Sequence, residues 1–559
     1  MLPKDFLKAM RTTLPDWFKI KGYTHLSPTI QLSDSERIIR QIKNPNYISK
    51  YAFYPLIHKV IKERKYKQAD PSKHLTKGRR HSHLCIKTNQ SLKTQKERPL
   101  HYASHMDSLI YGYYANLINE RYEQILKTQP SLNDAVLAYR KIETFESSGV
   151  GKSNIHFAKE CFDVITNYNS TCEEVGVLAF DLKSFFSTLD HQILKRTWAK
   201  LLKKDKLPKD HYNVFKACTK FNYVLLDDLR IGQKELGRRR NGFNESKLAS
   251  IRKHKGYKCF FKDNEEFRNE IQQGNLKIYN NPFYREIENL NKHRSNTRKI
   301  NVGIPQGLPI SATLANLYLL EFDQKIIDFL AQYNGIYRRY SDDLLVICKR
   351  RDMSQIESFF YDLIEDYKIT ISKEKTERFV FKMVEYNFQK QTRLECFKLS
   401  LDNIQIKSCL NYLGFEFRGY HTGIKSTNLA KYYRKMISSA KKKAKRAHHL
   451  HQKDETIKRA IYLNQLKKIT TLPVKLQALE NIEEKNLQRK YSLLKYNETK
   501  GFYEYVHYPP NPNKMKNRSN YHSYIRRCCT VFGTDTFNRQ LKKNRMIMHK
   551  AVYYHLNKF

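Results

Sequence analysis

Acid is scarce in this chain. Against 103 Lys and Arg stand only 55 Asp and Glu, a formal net charge of +48 over 559 residues. A surplus of that size calls for a polyanionic partner. Membrane surfaces are anionic, but the chain has no apolar run of about 18 residues, the length needed to span a bilayer. No signal-peptide pattern opens it either. Paired cysteines are missing too. The ten cysteines, at 85, 161, 172, 218, 259, 348, 396, 409, 528 and 529, form no CxxC and no Cys/His cluster with zinc spacing. Cys528 and Cys529 are read as structural, and the compartment as the reducing cytoplasm. There is no internal repeat, and the last hundred residues show no nuclease or integrase signature. Nucleic acid is the simplest partner left. Aromatics are plentiful, with 38 Tyr and 30 Phe, enough for a core and for base-stacking surfaces.

The chemistry starts at Tyr340-Ser341-Asp342-Asp343, which runs into Leu344, Leu345, Val346 and Ile347. Two adjacent carboxylates in a tight turn between apolar strands resist joint ionisation unless cations offset them. A third carboxylate, Asp181, ends the strand-like run Val177 to Phe180 and precedes Leu182-Lys183-Ser184-Phe185-Phe186. Three such groups suit a pair of Mg²⁺ ions, with Mn²⁺ as a substitute, in in-line phosphoryl transfer. On its own an Asp-Asp pair is a surface turn; the order of the motifs around it decides the matter. Gly303-Ile304-Pro305-Gln306-Gly307-Leu308-Pro309-Ile310-Ser311 leads into Ala312 to Tyr318, ahead of the YSDD turn. Ser372-Lys373-Glu374-Lys375-Thr376 and Tyr412-Leu413-Gly414-Phe415-Glu416-Phe417 follow it.

In that order these motifs resemble the palm motifs A to E of reverse transcriptases, over roughly residues 95–420. Lys96 to Asp107 resembles the first finger motif, Ala138-Tyr139-Arg140-Lys141 the second, and Asn154 to Lys159 a further element of the group. The resemblance implies an α/β right-hand polymerase of fingers, palm and thumb, with an antiparallel palm sheet, a YSDD hairpin and a largely helical C-terminal segment. Residues 1–95 become an N-terminal helical and basic extension, 96–176 fingers, 177–420 palm, and 421–559 a basic thumb with a C-terminal extension. The stretch 227–300 reads as a polar insertion: a surface loop, a nucleic-acid clamp or an oligomer contact. The basic stretch Lys73 to Lys96 reads as a solvated loop or as a phosphate contact near the template entrance.

The resemblance also assigns roles. Asp181 and Asp342 bridge the metals, Asp343 supports them, and Leu182 offers a backbone carbonyl. Arg98 and Arg140 meet the triphosphate with guanidinium forks. Phe186 bars a 2′-hydroxyl, and because strand side chains alternate faces, Phe185 belongs to the core. Gln306 and Gly307 approach the incoming base pair, and Lys375 hands a proton to pyrophosphate. Tyr412, Leu413 and Gly414 grip the primer through their backbone. Residues 421–450 hold nine Lys/Arg and no acid. Leu429, Tyr432, Tyr433, Met436 and Ile437 recur there at helical spacing. That predicts a helix whose Lys431, Arg434, Lys435, Lys441, Lys442, Lys443 and Lys445 lie along a duplex.

Among reverse transcriptases, the chain lacks the thumb triplet and the asparagine-alanine…histidine element of retron enzymes. It also lacks the zinc-binding endonuclease of group II intron proteins, while its Gln306-Gly307 differs from the altered motif of diversity-generating enzymes. It is therefore similar to stand-alone bacterial enzymes of antiphage defence. Those relatives imply a dedicated non-coding RNA template, dNTPs, a DNA product and, in some, a homo-oligomer. An enzyme of a mobile element and a non-catalytic nucleic-acid scaffold are the rival readings.

Overall fold

The computed structural model describes residues 14–64, 95–169, 174–229, 238–239, 242–243, 259–261, 263–291, 294–385, 391–400, 405–456, 466, 492–497, 502–507 and 520–558. The basic stretch from Lys73 to Lys93 lies outside them. The chain divides into two compact units: 1–140 with 178–346 and 352–376, and 141–177 with 347–351 and 377–559. Of the boundaries expected at 95, 176 and 420, that at 176 lies one residue from a limit of these units, and those at 95 and 420 fall inside them. The segment expected as fingers, 96–176, divides at Arg140.

In the first unit, β1 (Leu56–Arg64) pairs antiparallel with β2 (Gln95–Tyr102). The long helix α1 (His105–Thr128) follows, its N-cap Ser104 side chain accepting from the Asp107 N–H. Along it Leu109, Ile110, Tyr114, Ile118 and Tyr122 are buried, while Tyr113, Leu117 and Ile125 are half-buried. β3 (Glu174–Asp181) then leads to a short helix α2 (Phe185–Thr188) and to α3 (His191–Leu201), capped by Asp190. β4 (Asn222–Leu225) lies parallel to β1 and antiparallel to β5 (Tyr279–Asn280), giving a four-stranded sheet in the order β2-β1-β4-β5. The helices α4 (Ser311–Tyr318) and α5 (Leu320–Ala331) precede β6 (Ile336–Tyr340) and β7 (Asp343–Lys349). The sheet order there is β6-β7-β3. A two-residue connection obliges β6 and β7 to run antiparallel.

The expected polar insertion at 227–300 is only partly a surface feature. Phe261, Phe267 and Leu276 join Leu26, Ile57, Val224 and Leu226 in one buried cluster. Tyr54 donates to Asn264 Oδ1 at 2.7 Å, fastening the helix Asn264–Gln272. The sequence hid this because three apolar residues spread over sixteen positions do not raise a polar window. Beyond them, Tyr284–Asn291 and Arg294–Asn301 form a hairpin.

In the second unit β8 (Glu377–Glu385), β9 (Thr392–Leu399) and β10 (Gln405–Lys407) are antiparallel neighbours. A second small sheet holds β11 (Leu410–Tyr412), β12 (Phe415–Phe417) and β13 (Thr422–Ile424). The helix α6 (Ser426–Lys453) packs on α8 (Asn544–Lys558), and α7 (Tyr521–Phe532) precedes α8. Tyr432 stacks on Tyr521 at 4.2 Å and donates to Asn544 Oδ1 at 2.9 Å. No helix among the described residues is long and apolar enough to cross a membrane.

Candidate active site

Three backbone hydrogen bonds build the carboxylate end of the first unit. The Leu182 N–H donates to the Asp342 carbonyl at 3.1 Å, the Lys183 N–H to Thr370 at 2.8 Å, and the Ser372 N–H to the Asp181 carbonyl at 2.9 Å. The residues after β3 are therefore held between the YSDD turn and the 370–372 segment. Asp181 ends β3, Asp342 lies in the turn, and Asp343 starts β7. Leu182 puts its backbone at this junction and buries its side chain. Ser341 reverses the chain with φ of 63°, a left-handed conformation that most residues avoid.

Lys375, from the 3₁₀ turn Lys373–Lys375, forms an ion pair with the Asp181 carboxylate. The lysine assigned to pyrophosphate thus reaches the acid assigned to metal. Hard oxygen donors of this kind suit Mg²⁺, but here the Asp181 carboxylate is taken by the Lys375 ammonium group. Among the described residues, however, no three His, Cys, Asp or Glu side chains are gathered as an ion would require. The expected three-carboxylate cluster is not assembled with Lys375 on Asp181.

Phe185 and Phe186 are not on the strand. β3 has ended at Asp181, Ser184 turns the chain with φ of 52° as the N-cap of α2, and both rings sit on that helix. One turn of helix buries Phe185 and leaves Phe186 half-buried. The Phe186 carbonyl accepts from the Ile304 N–H at 2.8 Å, which ties α2 to the segment before Gln306. Gln306 and Gly307 occupy a turn four residues ahead of α4. The His101 N–H donates to the Gln306 carbonyl at 2.8 Å. Gly307 has φ of 112°, and a Cβ there would stand 2.5 Å from the His101 carbonyl oxygen, so only glycine fits. His101 is buried against His58, ring nitrogen to ring nitrogen at 3.0 Å. Burial and then the His58 charge push its pKa down to about 3. The sequence did not single out this histidine pair. Arg98 lies exposed on β2, three residues before His101.

Arg140 is the clear correction. Its side chain is 4% exposed and paired with Glu123. Nε and Nη2 donate to the Glu123 carboxylate, Nη1 to the Asn133 and Val136 carbonyls, and Nη2 also to Asn133 Oδ1. A guanidinium has five N–H donors, and these contacts use all five. None remains for a triphosphate, so Arg140 fixes its own loop. Its neighbour Tyr139 takes the place at the site: the hydroxyl lies 2.8 Å from Ser341 Oγ.

Behind the turn sits a buried polar network. Arg339, on β6, makes a forked ion pair with Asp323 on α5, with Nη2 to Oδ2 at 2.6 Å, both side chains fully buried. Arg339 Nη1 donates to Asn316 Oδ1 at 3.0 Å, and Asn316 Nδ2 donates to the Ala138 carbonyl at 2.9 Å. Burial works against the guanidinium charge, and the Asp323 carboxylate more than offsets it. An arginine inside the run Ile336-Tyr337-Arg338-Arg339-Tyr340 was the available signal.

In the second unit, Tyr412 is buried, and Leu413 and Gly414 turn with φ of 47° and 94°. Their carbonyls are held: Asn154 Nδ2 donates to Leu413 at 3.1 Å and the Lys425 N–H to Gly414 at 3.0 Å. On the helix α6, Leu429 and Tyr433 of the expected apolar stripe are half-buried and Ile437 is exposed. Tyr432, Met436, Ala440, Ala444 and Ala447 are buried, while Lys431, Arg434, Lys435, Lys441, Lys442 and Lys445 are exposed and Lys443 is half-buried.

Residues 258–417 match the family model described as reverse transcriptase (RNA-dependent DNA polymerase). The match takes in Gln306, Asp342, Asp343, Lys375 and Tyr412 to Gly414, and starts beyond Asp181. No curated protein matches the chain. Solved structures with some likeness include apo telomerase from Candida tropicalis, at 11% identity and TM-score 0.32, covering 62% of this chain and 50% of that one. Telomerase from Candida albicans, in complex with the TWJ fragment of telomeric RNA, also gives 11% identity and TM-score 0.32, covering 94% and 66%. The chain thus spans between half and two thirds of those two chains. Over residues 258–417, then, the chain matches a reverse transcriptase (RNA-dependent DNA polymerase) domain, and the order of motifs and strands around Asp181 and the YSDD turn fits the right-hand polymerase fold.

Proposed function

We propose that the chain is an RNA-directed DNA polymerase whose chemistry takes place where β3 meets the YSDD turn. The observation that carries this is the Leu182 to Asp342 hydrogen bond. It joins the two segments bearing Asp181 and Asp342, while Gln306 and Gly307 are held next to α2, which bears Phe186. Asp181, Asp342, Asp343 and the Leu182 carbonyl would hold two Mg²⁺, which when bound lower the pKa of a primer 3′-hydroxyl and neutralise the triphosphate. The protein's own part is placement. Gly307 lets the backbone come close to a base pair, and Phe186 walls off the sugar 2′ position. Lys375, paired with Asp181 in this structure, would give a proton to the leaving pyrophosphate. Arg98 is the remaining guanidinium for the triphosphate.

The template is a dedicated non-coding RNA, and the setting antiphage defence in the cytoplasm, with dNTPs consumed, a DNA product and self-association as in similar enzymes. What supports this finer reading is the resemblance of the motifs together with the charge of +48.

The test is primer extension on an RNA template by the purified chain and by Asp342→Asn with Asp343→Asn. The expected outcome is a loss on the order of a thousandfold, about 4 kcal/mol of transition-state stabilisation, with unchanged melting. Undiminished incorporation by the double variant would falsify the site. Sequencing the RNA that co-purifies separates the settings. One short RNA encoded beside the gene supports defence, an intron-sized RNA supports a mobile element, and no RNA with no extension supports neither.

A further inference from the structure

We propose that Tyr139 is a positioning residue for the carboxylate turn, acting through the hydrogen bond between its hydroxyl and Ser341. This rests on the polymerase reading of the site. Tyr139 is 47% exposed, so burial does not account for a large ring at this point. Its backbone is left-handed, with φ of 63°, and so is that of Ser341, also at 63°. A residue other than glycine stays in that region only when its surroundings fix it.

The surroundings of Tyr139 do so on both sides. On one side the Leu137 N–H donates to the Arg339 carbonyl at 2.9 Å, and the Ala138 carbonyl accepts from Asn316 at 2.9 Å. On the other, Arg140 spends its whole guanidinium on Glu123, Asn133 and Val136. The Asp323–Arg339–Asn316 network therefore holds the strand leading into the YSDD turn and, through Ala138, the residue before Tyr139. The hydroxyl closes the loop at 2.8 Å from Ser341 Oγ. Ser341 is 6% exposed, so its hydroxyl has little water to turn to. Asp342 follows Ser341 directly, and a change in the Ser341 torsion re-aims both carboxylates. In this arrangement Tyr139 touches no reacting atom; it sets the angle at which the turn presents them.

Tyr139→Phe removes the hydroxyl and keeps the ring, which separates the bond from packing. Two measurements on the full chain decide the matter. Amide hydrogen exchange across residues 339–343 should speed up by about fivefold with the melting temperature unchanged. In primer extension, kcat should fall about tenfold while KM for the dNTP stays within about twofold. Ser341→Ala should give the same pattern, and the double variant should be no worse than either single one, because both remove one bond. Unchanged exchange in Tyr139→Phe overturns the proposal, as do additive losses in the double variant. Faster exchange with an unchanged kcat shows a bond without a role in positioning and overturns it equally. If the unaltered chain extends no primer, the polymerase reading fails by itself, and the exchange comparison still decides whether Tyr139 holds the turn.

Discussion

Arg339 and the lysines of α6 carry the same charge to opposite ends. Arg339 is fully buried, with Asp323 and Asn316 around its guanidinium. The cations of α6 lie on the outer side of a helix whose inner side is Tyr432, Met436 and three alanines. Buried, a cation needs a partner of good geometry, and that need turns it into a device for placing atoms: here the strand before Ser341 and the loop before Tyr139. Exposed in a row, cations repel one another and place nothing, but they attract any phosphate backbone. In the first region charge sets shape; in the second it sets affinity.

The sharpest way to break this contrast is to remove one partner inside. Asp323→Asn leaves the Arg339 guanidinium buried without its counter-ion, and the expected cost is about 3–5 kcal/mol. Urea denaturation measures it. A double change to apolar residues, Arg339→Met with Asp323→Leu, should regain much of that loss while leaving primer extension impaired, because Asn316 and Ala138 lose their anchor. If Asp323→Asn costs less than about 1 kcal/mol, the pair is incidental to the fold.

A second effect of similar size tests placement by packing. Phe185→Ala should destabilise by about 3–5 kcal/mol through a cavity and leave sugar choice alone. Phe186→Ala should cost less stability and admit ribonucleotides. The measurement is melting and the incorporation ratio of the two sugars for both variants. Relaxed discrimination in Phe185→Ala alone reverses the assignment.

These two rings also show how far the sequence could be read. The order of the motifs made the palm legible, because each is a short local pattern of the kind a turn or strand end imposes. Asp181 at a strand end, the YSDD turn and the α6 stripe all follow from local spacing. Phe185 is buried as expected but on a helix rather than a strand, since a left-handed Ser184 is not written in a propensity. Arg140 was misjudged because its role depends on Glu123, seventeen residues earlier, and on carbonyls that turn toward it only in the folded loop. Tyr139, His101 and Arg339 act through partners 202, 43 and 16 residues away. Long-range pairing of single polar atoms leaves no period in a sequence, so these pairings were invisible while the carboxylates were not.

The smallest effect on the fold, and the cleanest test of the exposed side, comes from α6. Lys441, Lys442 and Lys445 are exposed and Lys443 half-buried, while the helix is anchored through Met436, Ala440 and the residues of α8. Changing all four to Gln keeps good helix formers and trims only part of the Lys443 stem, so stability should move by no more than about 1 kcal/mol. Relief of repulsion among neighbouring cations could even raise it, since like charges three or four residues apart weaken a helix by a few tenths of a kcal/mol. Binding should respond quite differently. Every phosphate left without its lysine lowers the slope of log affinity against log salt by about one. The quadruple variant should therefore flatten that slope by up to about four and weaken unrelated sequences alike. Fluorescence anisotropy on two RNA–DNA duplexes of unrelated sequence, across a salt series, reads both quantities. Since the carboxylate turn is untouched, extension should recover at saturating template. An unchanged slope would mean that these lysines face solvent in the complex. The charge of α6 would then have to be explained by something other than a phosphate backbone.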